Sequence, residues 1–375
     1  MSSGLPPNPR TLVGIGDDAA VLAVPDGRVV ATTDFLIEGR HFRRDWAGAA
    51  DIGHKAAARS LADVAAMGAE PSALLVALAA PPDLRVSWAR ELAEGLAAEC
   101  ARAGASVIGG DTARADCVIL AVTGLGDLAG RDPVLRSGAS PGDLVAVAGP
   151  LGYAAAGLAL LTTGLTTGLT TGITDDPRVA PLISGLLRPS PPYDAGPEAA
   201  GLRATAMIDV SDGLLADLGH VADASGVRID LDSAALRPGR RGPDDPLVTA
   251  ARAVGGADRH VSGGRTERVT RPGHGASYGE TNPSSPPIPP ALRSAQTGSS
   301  PGGTTPLAPP ALRSAQIDAL DWVLTGGEDH SLAATFPAGT RLPPRWRVIG
   351  SVGPGAGVVV DGQPWVGARG WDHFA

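Results

Sequence analysis

The apolar residues between positions 29 and 148 follow two alternating periods. Four short apolar runs, "VVATTDFLI", "SALLVALAA", "CVILAVTGL" and "DLVAVAG", predict strands. Two segments between them, "DIGHKAAARSLADVAAMG" and "RVSWARELAEGLAAECARAG", repeat their apolar residues at helical spacing and end on glycine, which is typical of amphipathic helices. This pattern predicts an α/β or α+β domain over residues 1–146.

A second region with the same alternation begins near Ala204. "ATAMIDV" predicts a strand, and "GLLADLGHVADAS" predicts an amphipathic helix with Leu214, Leu218 and Val221 on one stripe. We therefore expect a second α/β domain over residues 147–375. The tandem repeat "TTGLTTGLTTGIT", which lies between the two regions, is expected to form a loop because of its Thr and Gly content.

The composition changes between about Pro238 and Gln316. Pro, Gly, Ser and Arg dominate this segment, and "PPALRSAQ" occurs in it twice. Because large apolar residues are scarce there, the segment cannot bury enough surface to offset the entropy of ordering. We expect a disordered low-complexity insertion in the second domain, with ordered structure resuming at "DALDWVLTGGEDHSLAATF".

Length, charge and cysteine content narrow the class of protein. A chain of 375 residues suits two domains, and 31 basic against 39 acidic residues give a net charge of -8, which does not indicate nucleic-acid binding. Cys100 and Cys117 are the only cysteines, so neither a disulfide framework nor a cysteine-rich zinc site is expected. The sequence has no apolar leader and no run of about 18 apolar residues. We therefore expect a soluble cytoplasmic protein with no membrane partner.

Lys55 is the only lysine of the chain. Its context, "IGHKAAA", fits neither the Walker A loop nor the strand lysine of protein kinases. If the protein binds ATP, it does so without a Walker A lysine and without the strand lysine of protein kinases.

Acidic residues recur in five segments, most of them beside glycine or a hydroxyl residue. Four of the segments are predicted to end apolar strands, where ligands collect in α/β domains, and the fifth lies on the small apolar face of a helix. Such oxygen donors suit Mg²⁺, which takes a few carboxylates and bridges substrate phosphates. For any single residue the alternative is a turn or a helix cap. The acids are Asp17, Asp18, Asp34, Asp63, Asp111, Asp209 and Asp212.

The segment "GIGDDA" also satisfies the dinucleotide-binding pattern G-x-G-x-x-[GA]. That interpretation is disfavoured, because Asp17 and Asp18 would face a pyrophosphate without a metal. No acidic residue ends a second strand of a clear βαβ unit about 20 residues further on, where this fold needs one.

The chain resembles thiamine-monophosphate kinases, which share a superfamily with aminoimidazole ribonucleotide synthetase and selenophosphate synthetase. The resemblance spans nearly the whole chain apart from the insertion, and it implies an aminoimidazole ribonucleotide synthetase-like architecture, with an N-terminal sheet domain and a C-terminal α/β domain. It also implies a homodimer formed through the N-terminal sheet and an active site between the domains. The matching segments are "GIGDDAAV", "TTDFLIEGRHF", "KAAARSLADVAAMGAEP", "GASVIGGDT", "PVLRSGASPGDLVAV", "GPLGYAAAGL", "AMIDVSDGLLADL", "LTGGEDH" and "GWDHF".

The resemblance implies phosphorylation of thiamine monophosphate to thiamine diphosphate by in-line transfer from ATP, with several Mg²⁺ ions. By motif position, Asp18, Thr32, Thr33, Asp34, Asp63, Asp111, Asp209 and Asp212 would hold metal; Gly110, Asp111, Arg136 and Ser211 would contact ATP; His41, Glu328 and Trp371 would contact the thiamine moiety; and Asp212 and Arg136 would be catalytic.

The residues are compatible with that chemistry. A phosphate monoester has a second pKa of about 6, so the attacking oxygen is already anionic at neutral pH and needs no base. The reaction needs positioning and cancellation of charge, which clustered Mg²⁺ and one Arg provide. Trp371 would suit a cationic thiazolium, because a cation is attracted to an aromatic face.

The chain departs from the family pattern at two positions near the substrate side, Arg40 and His330, which leaves substrate choice open. A selenophosphate synthetase would need an N-terminal nucleophilic Cys, and an aminoimidazole ribonucleotide synthetase would lack the "GGED" and "GWDHF" pairing. Two alternatives stay open: another ATP-using enzyme of the superfamily, and a catalytically silent nucleotide-binding module.

Overall fold

The structure is a computed structural model, which describes residues 9–14, 19–167, 177–238, 245–261, 318–367 and 370. Within these residues the strands are β1 (Thr11–Val13), β2 (Val21–Leu22), β3 (Val30–Ile37), β4 (Glu70–Ala80), β5 (Ser106–Arg114), β6 (Ile119–Asp127), β7 (Leu144–Ala148), β8 (Ala206–Val210), β9 (Arg228–Leu231), β10 (Ser331–Phe336), β11 (Trp346–Gly353), β12 (Gly357–Val360) and β13 (Gln363–Pro364). The helices are α1 (Ala49–Ala66), α2 (Val86–Arg102), α3 (Tyr153–Thr167), α4 (Ala180–Leu187), α5 (Ala195–Gly201), α6 (Leu214–Ser225), α7 (Ser233–Leu236), α8 (Pro246–Val261) and α9 (Ala319–Thr325).

The first half of the chain builds a four-stranded sheet with the order β3-β6-β4-β5. Only the β4–β5 pair is parallel. Helix α1 lies against β3, β6 and β4, and its backbone approaches α2 closely, because a Cβ atom on Gly53 would overlap the carbonyl oxygen of Leu92. The sheet therefore has one face covered by helices.

The second half builds a seven-stranded mixed sheet with the order β13-β12-β9-β11-β7-β10-β8. Successive residues of a strand point to opposite faces. Val145 and Val147 of β7 therefore pack in one core with α3 and α6, whereas Ala146 and Ala148 pack in another core that includes Leu61 of α1. The second face of this sheet thus lies against the helices of the first half, and it brings the end of β8 towards α1.

Several sequence-based expectations hold. The helix predicted from "GLLADLGHVADAS" is α6, and its stripe residues Leu214, Leu218 and Val221 are buried. Structure resumes at α9, as expected after the insertion. No helix in the described part of the chain combines the length and the apolar character that crossing a membrane requires.

Two acidic residues and the domain boundary do not lie where the sequence indicated. Asp34 lies in the middle of β3 and Asp111 lies inside β5, whereas both were expected at strand ends. A half-buried strand face and an edge strand both tolerate polar side chains without ending the strand. Strand β7 crosses the expected domain boundary at residue 146, and all of it belongs to the second sheet.

Two segments that were expected to lack structure are partly helical. A loop was predicted for residues 162–174. This prediction is wrong for residues 162–167, because they belong to α3. Extending a formed helix costs far less than nucleating one, so weak helix formers can be included. Helix α8 likewise lies within the expected disordered insertion, and it buries Leu247, Ala250 and Val254 at helical spacing. Residues 168–176 and 262–316 lie outside the described residues.

Replacing residues 262–316 with a short Gly-Ser linker is expected to leave the thermal unfolding midpoint essentially unchanged. Extending the deletion to residues 246–316 is expected to lower it, because α8 is lost and its buried side chains contribute about 3 kcal/mol or more. Differential scanning calorimetry of the two deletion variants checks this difference. Equal midpoints would show that α8 contributes nothing to stability.

Candidate active site

Helix α1 presents three charged residues four positions apart, Lys55, Arg59 and Asp63, which places them on one face. Two of them reach a carboxylate from the second half: the Lys55 Nζ lies 2.6 Å from Glu328 Oε2, and an Arg59 nitrogen lies 2.5 Å from Glu328 Oε1. Burial alone would raise the pKa of Glu328, but Lys55 and Arg59 hold it well below its usual range. Glu328 is therefore an anion that links the two halves of the chain.

Strand β3 adds oxygen atoms beside the same helix. Thr32 and Asp34 share a strand face because they are two residues apart. The Thr32 hydroxyl donates a hydrogen bond to Asp63 Oδ2 at 2.7 Å, and the Ser60 hydroxyl donates one to Asp34 Oδ2 at 2.8 Å. The Arg59 guanidinium lies 3.8 Å from Asp34 Oδ1. Thr32, Asp34 and Asp63 thus form one hydrogen-bonded group with α1.

Asp209, at the end of β8, extends this acidic group into the second half. The residue is 4% exposed, and its carboxylate Oδ2 lies 3.1 Å from Nδ1 of the buried His330. Burial, followed by repulsion from Asp209 and Asp34, raises the pKa of Asp63 to about 7. Carboxylates that are distant in sequence therefore lie close enough to repel one another.

Two motifs that are far apart in the sequence are joined at their backbones next to Asp209. The amide of Glu328 donates to the carbonyl of Ser211 at 2.7 Å, and the amide of His330 donates to that of Val210 at 2.9 Å. Gly327 is required at this contact, because a Cβ atom there would lie 2.5 Å from the Ser211 carbonyl oxygen.

Glu328 and His330 adopt left-handed backbone conformations, with φ of 69° and 51°. Such conformations cost on the order of 1–3 kcal/mol each for residues other than glycine. Strain of this kind is concentrated at functional sites.

Asp217 holds the turn that follows β8. Its Oδ2 accepts hydrogen bonds from the backbone N–H groups of Ser211, Asp212 and Gly213, at 3.0, 3.1 and 3.0 Å. Burial, followed by repulsion from Asp209 and Asp212, raises the pKa of Asp217 to about 8. Asp217 therefore lies within electrostatic reach of both Asp209 and Asp212.

Two residues of the site, Arg59 and Asp217, were not singled out from the sequence. Arg59 lies four positions before Asp63, and Asp217 lies four positions after Gly213, a helical spacing that could have indicated them. Asp329 belongs to the segment "LTGGEDH", but its role was not indicated. It accepts backbone hydrogen bonds from Gly152 and Ala154 beside the start of α3, and burial raises its pKa to about 7. These partners come from a distant segment, so the sequence did not show this role.

Other candidate residues lie apart from this cluster. Thr33 points to the opposite face of β3, where its hydroxyl donates to the Val122 carbonyl at 3.3 Å. Gly110 and Asp111 lie on β5, which β6 and β4 separate from β3, a distance of about 14 Å at ordinary strand spacing. His41 follows β3, and its Nδ1 accepts from the Ile37 amide at 3.0 Å.

The two candidate catalytic residues are not brought together. The carbonyl of Arg136 accepts a hydrogen bond from the Ser225 hydroxyl, which lies at the end of α6, whereas Asp212 precedes the start of that helix. A helix of this length spans about 18 Å. Asp18 and Trp371 lie outside the described residues.

The donor set of the cluster fits Mg²⁺ in chemical type. Asp34, Asp63, Asp209 and the Thr32 hydroxyl supply hard oxygen atoms. Burial and then repulsion from Asp209 and Asp34 raise the pKa of Asp63, and a bound cation would relieve that repulsion. Among the described residues, no three His, Cys, Asp or Glu side chains stand close enough to share one ion. Metal binding there therefore requires side-chain adjustment or further ligands.

Comparison with known protein families gives one partial match. Residues 16–128 match the family AIR synthase related protein, N-terminal domain. This segment contains the first sheet with α1 and α2.

Comparison with individual proteins extends over most of the chain. The thiamine-monophosphate kinase of Mycobacterium tuberculosis H37Rv is 40% identical over 365 residues, which cover 97% of this chain and 86% of that protein. The crystal structure of thiamine-monophosphate kinase from Stenotrophomonas maltophilia K279a is similar with a TM-score of 0.67 and 30% identity, covering 95% of this chain and 92% of that one. AaThiL complexed with AMPPCP and TMP is similar with a TM-score of 0.68 and 28% identity, covering 96% and 92%. These likenesses confirm the expected aminoimidazole ribonucleotide synthetase-like architecture, which is of the α+β class.

Proposed function

Because this chain belongs to the thiamine-monophosphate kinase family, we propose that it transfers a phosphoryl group from ATP to thiamine monophosphate and forms thiamine diphosphate. The proposal is carried by one observation: Asp63 of the first half lies within electrostatic reach both of its neighbour Asp34 and of Asp209 of the second half. Such a cluster is what two polyanionic substrates require, since their repulsion has to be cancelled before the phosphates can approach.

In this proposal the reaction depends on Mg²⁺ and proceeds by in-line attack. Bound Mg²⁺ would supply positive charge that neutralises the substrate phosphates. Thr32, Asp34, Asp63, Asp209 and Asp212 are the proposed ligands in the described cluster. Asp18, Thr33 and Asp111 stay proposed ligands by motif position alone. The attacking phosphate oxygen is already anionic, so no side chain has to remove a proton.

Substrate contacts follow from motif position and stay proposals. Gly110, Asp111, Arg136 and Ser211 are assigned to ATP, and His41, Glu328 and Trp371 to the thiamine moiety. Glu328 is anionic in the structure and suits a cationic thiazolium. Because it already pairs with Lys55 and Arg59, thiamine would have to share or displace these cations.

We also propose a homodimer formed through the first sheet. The face of this sheet opposite α1 carries Phe35, Leu75, Ile119 and Ala121, and Phe35 is 57% exposed. A sheet face with this apolar content is a typical protein interface rather than a solvated surface. A cytoplasmic location also stays a prediction.

Replacing Phe35 with Asp is expected to convert the dimer to a monomer, because the charge would be buried without a partner. Sedimentation velocity ultracentrifugation measures the change in mass. The matched control is Val86→Asp, which also replaces an exposed apolar residue with a charged one, at the start of α2. This control should leave the dimer intact. A dimer that survives Phe35→Asp would exclude this interface.

The function is tested by incubating the full chain with ATP, Mg²⁺ and thiamine monophosphate and separating the thiamine phosphates chromatographically. Stoichiometric formation of thiamine diphosphate and ADP is expected. Nucleotide binding without thiamine diphosphate would favour the silent module. ATP hydrolysis that thiamine monophosphate does not stimulate would favour another reaction of the superfamily.

A further inference from the structure

Arg59 is the cation most closely surrounded by the acidic cluster. It is the middle residue of the α1 stripe, four positions from both Lys55 and Asp63, and its side chain is only 12% exposed. Its guanidinium contacts Glu328 at 2.5 Å and lies 3.8 Å from Asp34. Burial alone would lower its pKa, yet the surrounding carboxylates raise it; they belong to Glu328, Asp34, Asp63 and Asp209.

Acidic side chains outnumber basic side chains around Arg59. The cluster holds the carboxyl groups of Asp34, Asp63, Asp209 and Glu328, whereas its basic side chains are those of Lys55, Arg59 and His330. Lys55 pairs with Glu328, whereas Arg59 pairs with Glu328 and also lies beside Asp34. The Arg59 Nε is buried without a hydrogen-bond partner, so the carboxylates do not saturate its five donors.

A guanidinium in this position repels a divalent ion electrostatically. Its charge cannot be removed by deprotonation at any ordinary pH, and it lies 3.8 Å from Oδ1 of Asp34, a proposed metal ligand. From this geometry we propose that Arg59 is the resident counter-cation of the cluster and competes with divalent metal ions for it. The inference rests on the proposed function for the identity of the metal site. It implies that Arg59 lowers the affinity of this site for divalent ions.

The test is isothermal titration calorimetry of Mn²⁺ into the full chain without nucleotide or thiamine compounds. Arg59→Gln is expected to bind Mn²⁺ about tenfold more tightly or better, because a repulsive unit charge a few ångströms from the ion is removed. Arg59→Lys, which keeps the charge, should bind nearly as the unchanged protein does. Arg90→Gln removes an equal charge from an exposed position of α2 and should have no effect.

Equal, weaker or absent Mn²⁺ binding by a cooperatively folded Arg59→Gln variant would overturn the inference. If that variant does not fold, Arg59→Met takes its place, because it removes the same charge and keeps an apolar side chain at this buried position. Arg59→Met is again expected to bind Mn²⁺ more tightly than the unchanged protein, and the opposite result overturns the inference. A failure of the kinase assay leaves these titrations interpretable, since they contain neither substrate.

Discussion

Replacing Asp212 with Asn is expected to lower the rate of thiamine diphosphate formation roughly a thousandfold or more. The carboxylate lies just before α6, within electrostatic reach of Asp217, on which Asp209 also acts, and the proposed function requires a metal ligand there. Losing such a ligand removes several kcal/mol of charge stabilisation in the transition state, and each 1.4 kcal/mol is about tenfold in rate.

The fold should survive this substitution. Asp217 holds the turn through the backbone N–H group of residue 212 rather than through its side chain, so an asparagine keeps that contact. The matched control is Asp223→Asn, an exposed position on the same helix, which should retain full activity. Steady-state kinetics together with thermal unfolding of both variants check the prediction. Substantial activity in Asp212→Asn would remove this residue from the catalytic machinery.

Replacing Asp63 with Asn is expected to abolish activity and, in the metal-free protein, to increase stability. The carboxylate is buried near Asp34 and Asp209, and these surroundings raise its pKa to about 7 from an ordinary value of 3.8. Between these two pH values the unfolded chain has released the proton while the folded chain keeps it. The free energy of unfolding therefore falls as the pH rises through this window.

The neutral asparagine removes this penalty. In the presence of EDTA at pH 8, Asp63→Asn should raise the free energy of unfolding by about 1–3 kcal/mol, given 1.4 kcal/mol for each unit of pKa shift and a discount for coupling between the acids. Urea unfolding at pH 5 and pH 8 measures the difference, which should be larger at pH 8. A variant that is less stable than the unchanged protein at both pH values would contradict the electrostatic account of the cluster.

Local periodicity predicted the elements that bury a continuous apolar stripe. Leu214, Leu218 and Val221 indicated α6 because a helix repeats its buried face every three to four residues. Helix α8 follows the same rule through Leu247, Ala250 and Val254, but the Pro- and Gly-rich composition of the surrounding segment concealed it. Composition averaged over a long segment does not exclude a short amphipathic helix.

The acidic residues were found from the sequence, whereas their arrangement was not. Residue type and predicted position, at a strand end for Asp34 and Asp209 and on a small apolar helix face for Asp63, indicated these acids. Only the packing of α1 against the second sheet shows that they interact. The same packing sets Arg59 among them, which the sequence could not show because its partner Glu328 comes from a distant loop. The positions of Asp111 and Arg136, away from the cluster, equally depend on strand order and helix direction.

The account depends on divalent ions held jointly by acids from both halves of the chain. Anomalous scattering from Mn²⁺ in crystals grown with AMPPCP and thiamine monophosphate tests this most directly. We predict Mn²⁺ peaks within coordination distance of Asp63 and Asp209 and of the phosphate oxygens of the nucleotide. Peaks that contact the nucleotide but neither carboxylate would contradict the account.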